Sequence, residues 1–439
     1  MSKNSVYTFV NIRNFSRRTI LKAGFIGGLS SLTLPELLAL QSKQEGLINN
    51  KSVIVIWMGG GPSHHETFDP KPYAPQPFRG HFGAISTSAD GIQLPEHLNK
   101  CADCMDKWSI IKGLHHDNNN HSSAHEIMHS GYKAPAPNQQ QNFYPSIGST
   151  ISEHTQKDIE VPPYVVVPSH NNGTRSGYLP REYGPYETKN RPSSSTVYKD
   201  TNFTLNDSLS VNRVDNRSDL LKGFDNLRYI ADRSGSVDSI DKFNIKARSL
   251  LTSGKAASAF DIDKESTFTK DLYGEGFGRD LLLARRLVEG GVKMVTVRTP
   301  FGWDTHQKSN ESMGNKNLPQ FDIAFSALIN DLHARGMMDD VMVVAWGEFG
   351  RTPKINANGG RDHWSRSMSA AIAGGKVKGG RVAGESDKTG SEPVTGITPP
   401  DVLATIYDHM GVDIKRLYYD HSGRPHPILN SGKVLSELF

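Results

Sequence analysis

The apolar positions of this chain fall into two periods. Ser52–Met58, Tyr164–Val167, Val292–Arg298 and Val341–Trp346 are short runs rich in β-branched residues, and Ser109–Leu114 and Ser369–Ala373 are two more. Their length and composition predict strands buried on both faces. Between Pro319 and Arg335 the apolar residues Phe321, Ala324, Phe325, Leu328 and Leu332 recur at helical spacing, closed by Gly336. Asp280–Glu289 predicts a helix feeding the strand at Val292, and Thr398-Pro399 predicts the cap and first turn of a helix ending at Met410. Further helical patterns lie at Leu220–Arg233 and Ile240–Leu251. Strand, helix and strand over residues 292–346 read as a βαβ unit of a parallel sheet.

Such sheets bind ligands in the crevice beyond the carboxyl ends of their strands. Polar residues gather there: Asp304 and His306 follow the Val292 strand, Glu348 follows the Val341 strand, and His363 closes the segment. Two carboxylates and two imidazoles suit one divalent transition metal, zinc, manganese or iron, and these four are the predicted ligands. The first strand runs into Gly59-Gly60-Gly61-Pro62, which lacks the Lys-Ser/Thr ending of a nucleotide-binding loop. The histidines that follow, His64 and His65, and Asp69 are candidate site residues on the same edge. His121, His125 and His129 are spaced for one face of a helix beginning near Asn120. His121 would sit at its N-terminus, where free N–H groups favour anions, while His125 and His129 are expected to line the cleft without metal.

Charge changes the picture only at the N-terminus. The formal net charge of the 439 residues is +4, and residues 1–40 account for it, with Lys3, Arg13, Arg17, Arg18 and Lys22 against Glu36. The neutral remainder offers no electrostatic case for nucleic acid. Ser16-Arg17-Arg18-Thr19-Ile20-Leu21-Lys22 resembles a twin-arginine export signal, and the weakly apolar run Ala23–Leu34 is too short to span a bilayer. Residues 1–40 are therefore read as a targeting segment, with the twin-arginine machinery as partner and the periplasm or cell envelope as destination. Residues 41–439 are read as one domain without a membrane span, carrying a polar insertion around 187–218. Cys101 and Cys104 are the only cysteines, read as buried thiols on an apolar face with Leu98, Met105 and Trp108, the alternative being a local disulfide formed after export.

Taken together, the leader, Gly60-Gly61-Pro62-Ser63-His64 through Pro72, Ala284–Glu289, Trp303-Asp304-Thr305-His306, Gly347-Glu348-Phe349-Gly350-Arg351-Thr352-Pro353 and Gly359–Trp364 resemble the exported bacterial family called domain of unknown function 1501. The resemblance implies an α/β fold of the alkaline-phosphatase and sulfatase-like type, a mostly parallel central sheet with helices on both faces. It implies a metal-dependent hydrolase of phosphate or sulfate esters, acting on a small-molecule or polysaccharide ester. Asp304 and His306 resemble the middle ligand pair of that superfamily, Glu348-Phe349 stands where Asp-His is usual, and His363 resembles the final ligand. Phe349 offers no donor, so one ion is expected. His121 falls at the nucleophile position as base, nucleophile or extra ligand, and Asn120, His64 and Arg351 are expected to contact substrate. The alternative is a non-catalytic binding or assembly module of the cell envelope on the same fold.

Overall fold

The computed structural model describes residues 51–135, 142–155, 160–171, 173–192 and 254–439. The twin-arginine segment, most of the polar insertion and the helical patterns at 220–233 and 240–251 lie outside the described residues. The central sheet is built from β1 (Ser52–Trp57), β2 (Trp108–Leu114), β3 (Tyr164–Val167), β4 (Tyr186–Glu187), β5 (Met294–Arg298), β6 (Val341–Trp346), β7 (Met368–Ala373) and β8 (Val382–Ala383). Across the sheet the order is β8-β2-β7-β6-β1-β5-β3-β4. β1 lies parallel between β5 and β6, with Trp57 opposite both Arg298 and Trp346. Their carboxyl ends therefore stop level.

Only β7 runs against the others, antiparallel to both β6 and β2. An antiparallel return needs no crossover helix. The chain leaves β6, makes a small hairpin that pairs Gly350–Arg351 with His363–Trp364, and re-enters the sheet as β7. This keeps Glu348 and His363 at the same edge.

β1, β6 and β7 are buried along their whole length, because helices cover both faces. Ile54 and Ile56 join one core with residues of α3 (Phe277–Glu289) and α4 (Leu318–Ala334), including Leu281, Leu287, Phe321 and Leu328. Val53, Val55 and Trp57 join the other, with Met128 of α1 (His121–Ser130), Ile147 and Ile151 of α2 (Ile147–Thr155), and Val402 and Ile406 of α5 (Pro399–Met410). Alternate residues of one strand thus feed opposite cores, as a period of two requires. Thr398 caps α5 in a capping box with Asp401. Cys101 and Cys104 are free and buried as expected, but Trp108 belongs to β2 rather than to a continuous helix. Among the described residues no helix is long and apolar enough to cross a membrane.

Candidate metal centre

Helix α1 begins where predicted. The Asn120 side chain accepts from Ser123 N, capping the helix, and Gly131 ends it in the left-handed region. That cap places His121 in the first turn facing the strand ends. Its Nδ1 lies 2.6 Å from Glu348 Oε1 and its Nε2 3.4 Å from Asp304 Oδ2. The Asp304 Oδ1 atom is 3.0 Å from His306 Nε2 and 3.2 Å from His363 Nε2, and those two nitrogens are 3.0 Å apart.

The far side of each ring is equally informative. His306 Nδ1 is 2.7 Å from Asp362 Oδ1, His363 Nδ1 is 2.9 Å from the Asn119 carbonyl, and His121 Nδ1 is held on Glu348. Three imidazoles thus have Nδ1 pinned by an oxygen and Nε2 turned toward one carboxylate. Metal-ligating histidines are held in this manner, the second nitrogen donating to a carboxylate or carbonyl. The donor separations of 3.0–3.4 Å match the edge of roughly 3.3 Å of a tetrahedron with bonds of about 2.0–2.1 Å. His121, Asp304 and His363 have donor atoms close enough to share one ion, and so do His121, His125 and Glu348.

Of the four predicted ligands, Asp304, His306 and His363 come together. Glu348 does not join them directly: it is buried, accepts from Gly60 N at 2.8 Å, and reaches the group only through His121. His121 instead groups with Asp304 and His363. A role for His121 as base or nucleophile is disfavoured by its own contacts, since each nitrogen faces a carboxylate. Hydrogen bonds to Asp304 and then Glu348 raise its pKa to about 9, so without metal it is a bridging imidazolium. Burial works against ionisation of Asp304, but His121, His363 and Arg351 more than offset it and hold the carboxyl far below its usual range. Burial of Glu348 is likewise outweighed by His125 and His121.

The three expected substrate contacts find other partners. Asn120 is the helix cap. His64 is sealed, its Nε2 2.8 Å from the Gly390 carbonyl, and burial lowers its pKa to about 4. Arg351 has no exposed side-chain surface. Its guanidinium donates to the carbonyls of Gly60, Gly61 and Arg361 and to Asp304, so it orients the Asp304 carboxylate. His125, expected to be idle, lies 3.4 Å from Glu348. His129 is a core residue, its ring 4.3 Å from Trp57 and its pKa lowered to about 3 by burial, with a smaller push from His125. His116 was passed over, and it holds the Glu348 carbonyl at 2.6 Å. Nothing in the local sequence distinguishes His116 from its neighbours, because its partner is 232 residues away.

The fold and this cluster define an α/β protein with a histidine and carboxylate centre at the carboxyl edge of its sheet. The chain belongs to the family of proteins of unknown function DUF1501, whose model matches residues 50–439. Among solved structures it is similar to Ps i-CgsB, at 9% identity over 83% of this chain and 72% of that one, with a TM-score of 0.40. It is also similar to the PsFucS1 sulfatase from Pseudoalteromonas sp., at 13% identity over 85% and 70% of the two chains and a TM-score of 0.35. A protein of the alkaline phosphatase superfamily from Vibrio parahaemolyticus is similar at 11% identity, 83% and 67% coverage and a TM-score of 0.36. Likeness at this level says nothing about the chemistry of this chain. No curated protein matches it.

Proposed function

We propose that this protein is a metal-dependent hydrolase of phosphate or sulfate esters that holds one divalent transition metal through Asp304, His306, His363 and His121. The observation that carries the reading is the shared orientation of the three rings, Nδ1 fixed on Glu348, Asp362 or the Asn119 carbonyl and Nε2 turned to Asp304. Nitrogen donors beside one carboxylate favour zinc, manganese or iron over calcium or magnesium. The bound ion would supply Lewis-acid polarisation of the ester and stabilise charge developing on its oxygens. The chain's own residues do the rest. To hold the ion through Nε2, His121 would be neutral there and keep its Nδ1 proton on Glu348. Arg351 fixes the Asp304 carboxylate. Asp362 fixes His306. Phe349, packed 4.8 Å from the His121 ring and 4.4 Å from the His363 ring, excludes water and contributes no donor.

Elemental analysis of purified protein, beside a chelator titration followed by thermal melting and a screen with aryl phosphate and aryl sulfate esters, tests this. One zinc, manganese or iron per chain, a melting temperature lowered by chelator, and metal-dependent turnover are expected. A metal-free protein that melts alike with and without chelator sinks the hydrolase and favours the binding module. Export is proposed from Arg17 and Arg18 alone: a double Arg→Lys variant retained in the cytoplasm supports it, because Lys lacks the planar guanidinium fork, and normal export of that variant refutes it.

A further inference from the structure

Beside His121 lies a cavity of about 460 Å³, lined by His121, His125, Glu348, Asn171, Arg191 and Arg298, with Trp57, Gly59, Gly60 and residues 299–302 completing the wall. Its polar groups are unequally satisfied. Arg191 is paired with the buried Asp280. Arg298, at the end of β5, makes only long bonds of 3.3–3.5 Å to Ser169 and the His170 carbonyl. Among the described residues no carboxylate lies within ion-pair distance of it.

Asn171 is more telling. The residue is 8% exposed, and its Oδ1 accepts from Gly173 N at 2.9 Å. That bond orients the amide, so its NH2 is the free end, and this nitrogen has no partner among the described residues. On the opposite wall Glu348 uses Oε1 for Gly60 and His121, while its buried Oε2 accepts nothing. The cavity therefore presents a guanidinium, a two-hydrogen amide donor and one carboxylate oxygen that requires a donor in return. Leaving such groups unmet in a buried site is costly.

We infer that this cavity takes a tetrahedral oxyanion carrying both charge and a hydroxyl, so that the ester group recognised is a phosphate rather than a sulfate. Arg298 and the Asn171 amide meet the unprotonated oxygens, and the P–OH of the singly protonated phosphate, a form accessible near neutral pH because the second pKa is about 6, donates to Glu348 Oε2. A sulfate ester, fully deprotonated at neutral pH, has oxygens for Arg298 and Asn171 but no hydrogen for Glu348, and would set two acceptors against each other. A site built around a hydrogen bond rejects the analogue that cannot make it far more strongly than a merely shaped pocket does. This deepens the hydrolase reading and rests on it for the statement that the anion belongs to a substrate.

Calorimetric titration of the full chain with inorganic phosphate and with inorganic sulfate, in metal-loaded and in chelator-treated protein, tests the assignment. Phosphate is expected to bind at least about a hundredfold more tightly than sulfate. Arg298→Ala and Asn171→Leu are each expected to weaken phosphate about tenfold, with metal content unchanged and thermal melts showing that both variants are folded. Equal affinity for the two anions, binding of neither, or phosphate affinity indifferent to both substitutions overturns the proposal. The two readings fail separately. Phosphate selectivity without turnover of any ester removes the hydrolase and leaves the cavity assigned, whereas turnover of aryl sulfate without phosphate selectivity removes the assignment and leaves the hydrolase.

Discussion

Two fully buried glutamates stand in loops at the carboxyl edge of the sheet, and they are completed in opposite ways. Glu66 meets the Arg361 fork on both oxygens, at 2.9 and 3.0 Å, and Arg361 Nη1 donates to the carbonyls of Thr352 and Pro353. Glu348 has imidazoles and a backbone amide on one oxygen and no partner on the other. Residue type and burial are the same, so neither separates structure from function here. What separates them is whether the donors and acceptors close among themselves. The closed pair also supports the open one, because Arg361 N donates to the Thr305 carbonyl at 3.0 Å, between Asp304 and His306.

The sharpest way to break this contrast is Glu66→Ala. It strands the Arg361 charge in the interior and is expected to lower stability by about 3–5 kcal/mol in urea denaturation. Bound metal per folded molecule should persist. If that variant melts like the parent, the pair is not a structural clamp.

Acid should expose the same clamp. Burial would raise the Glu66 pKa, but Arg361 and then His65 overcome it and bring it down to about 2 from 4.5. Its stabilisation is full above pH 4.5 and is lost as pH falls toward 2. Burial lowers His64 from 6.5 to about 4, so the unfolded chain takes up that proton first and stability is lost as pH falls from 6.5 toward 4. Each contributes on the order of 3 kcal/mol. Stability measured from pH 7 to 2 should fall through both windows, and Glu66→Ala should flatten only the lower one.

Glu348→Gln keeps the shape and removes the charge that holds the His121 Nδ1 proton. Metal affinity is expected to fall about 10–100-fold, read by competition with a chromophoric chelator. The metal-free protein should lose little stability, in contrast to Glu66. The smallest change is expected from His129→Phe, which replaces a neutral ring packed at a tilt against Trp57 by an apolar one. Its cost should stay below about 1.5 kcal/mol, with metal content untouched. Loss of metal in that variant would place His129 in the centre after all.

Local pattern was enough for much of the fold. β6 is the run Val341–Trp346, α1 starts near Asn120 as the histidine spacing predicts, and α5 follows Thr398 and Pro399. The direction of β7 was not legible, since a short, mostly apolar run has the same appearance in either sense. The site was legible as far as its ligand types: Asp304, His306 and His363 are polar residues just past a strand or a hairpin turn. Which groups stand one shell back was not. Arg351 and Arg361 are arginines in a loop, and only the folded chain reveals that carbonyls surround them. Asn171 and Arg298 escaped notice because their meaning lies in how they are paired, the Asn171 amide nitrogen with no partner and Arg298 with only long bonds and no carboxylate, and pairing across the fold has no local spelling.

The glycine pair after β1 sets a tolerance for the whole centre. At Gly60, with φ of +107°, a Cβ would stand 2.5 Å from Asp304 N, and at Gly61, with φ of +77°, 2.5 Å from the Phe349 ring. Bare backbone is thus the shim between the loop bearing Asp304 and the segment bearing Glu348. Parallel pairing locks β5 and β6 to β1 in register, and register in a buried sheet does not slip by small steps. Those two walls therefore move as one body. A change in the gap between Asp304 and Glu348 would have to break that register, so the sheet itself gauges their spacing.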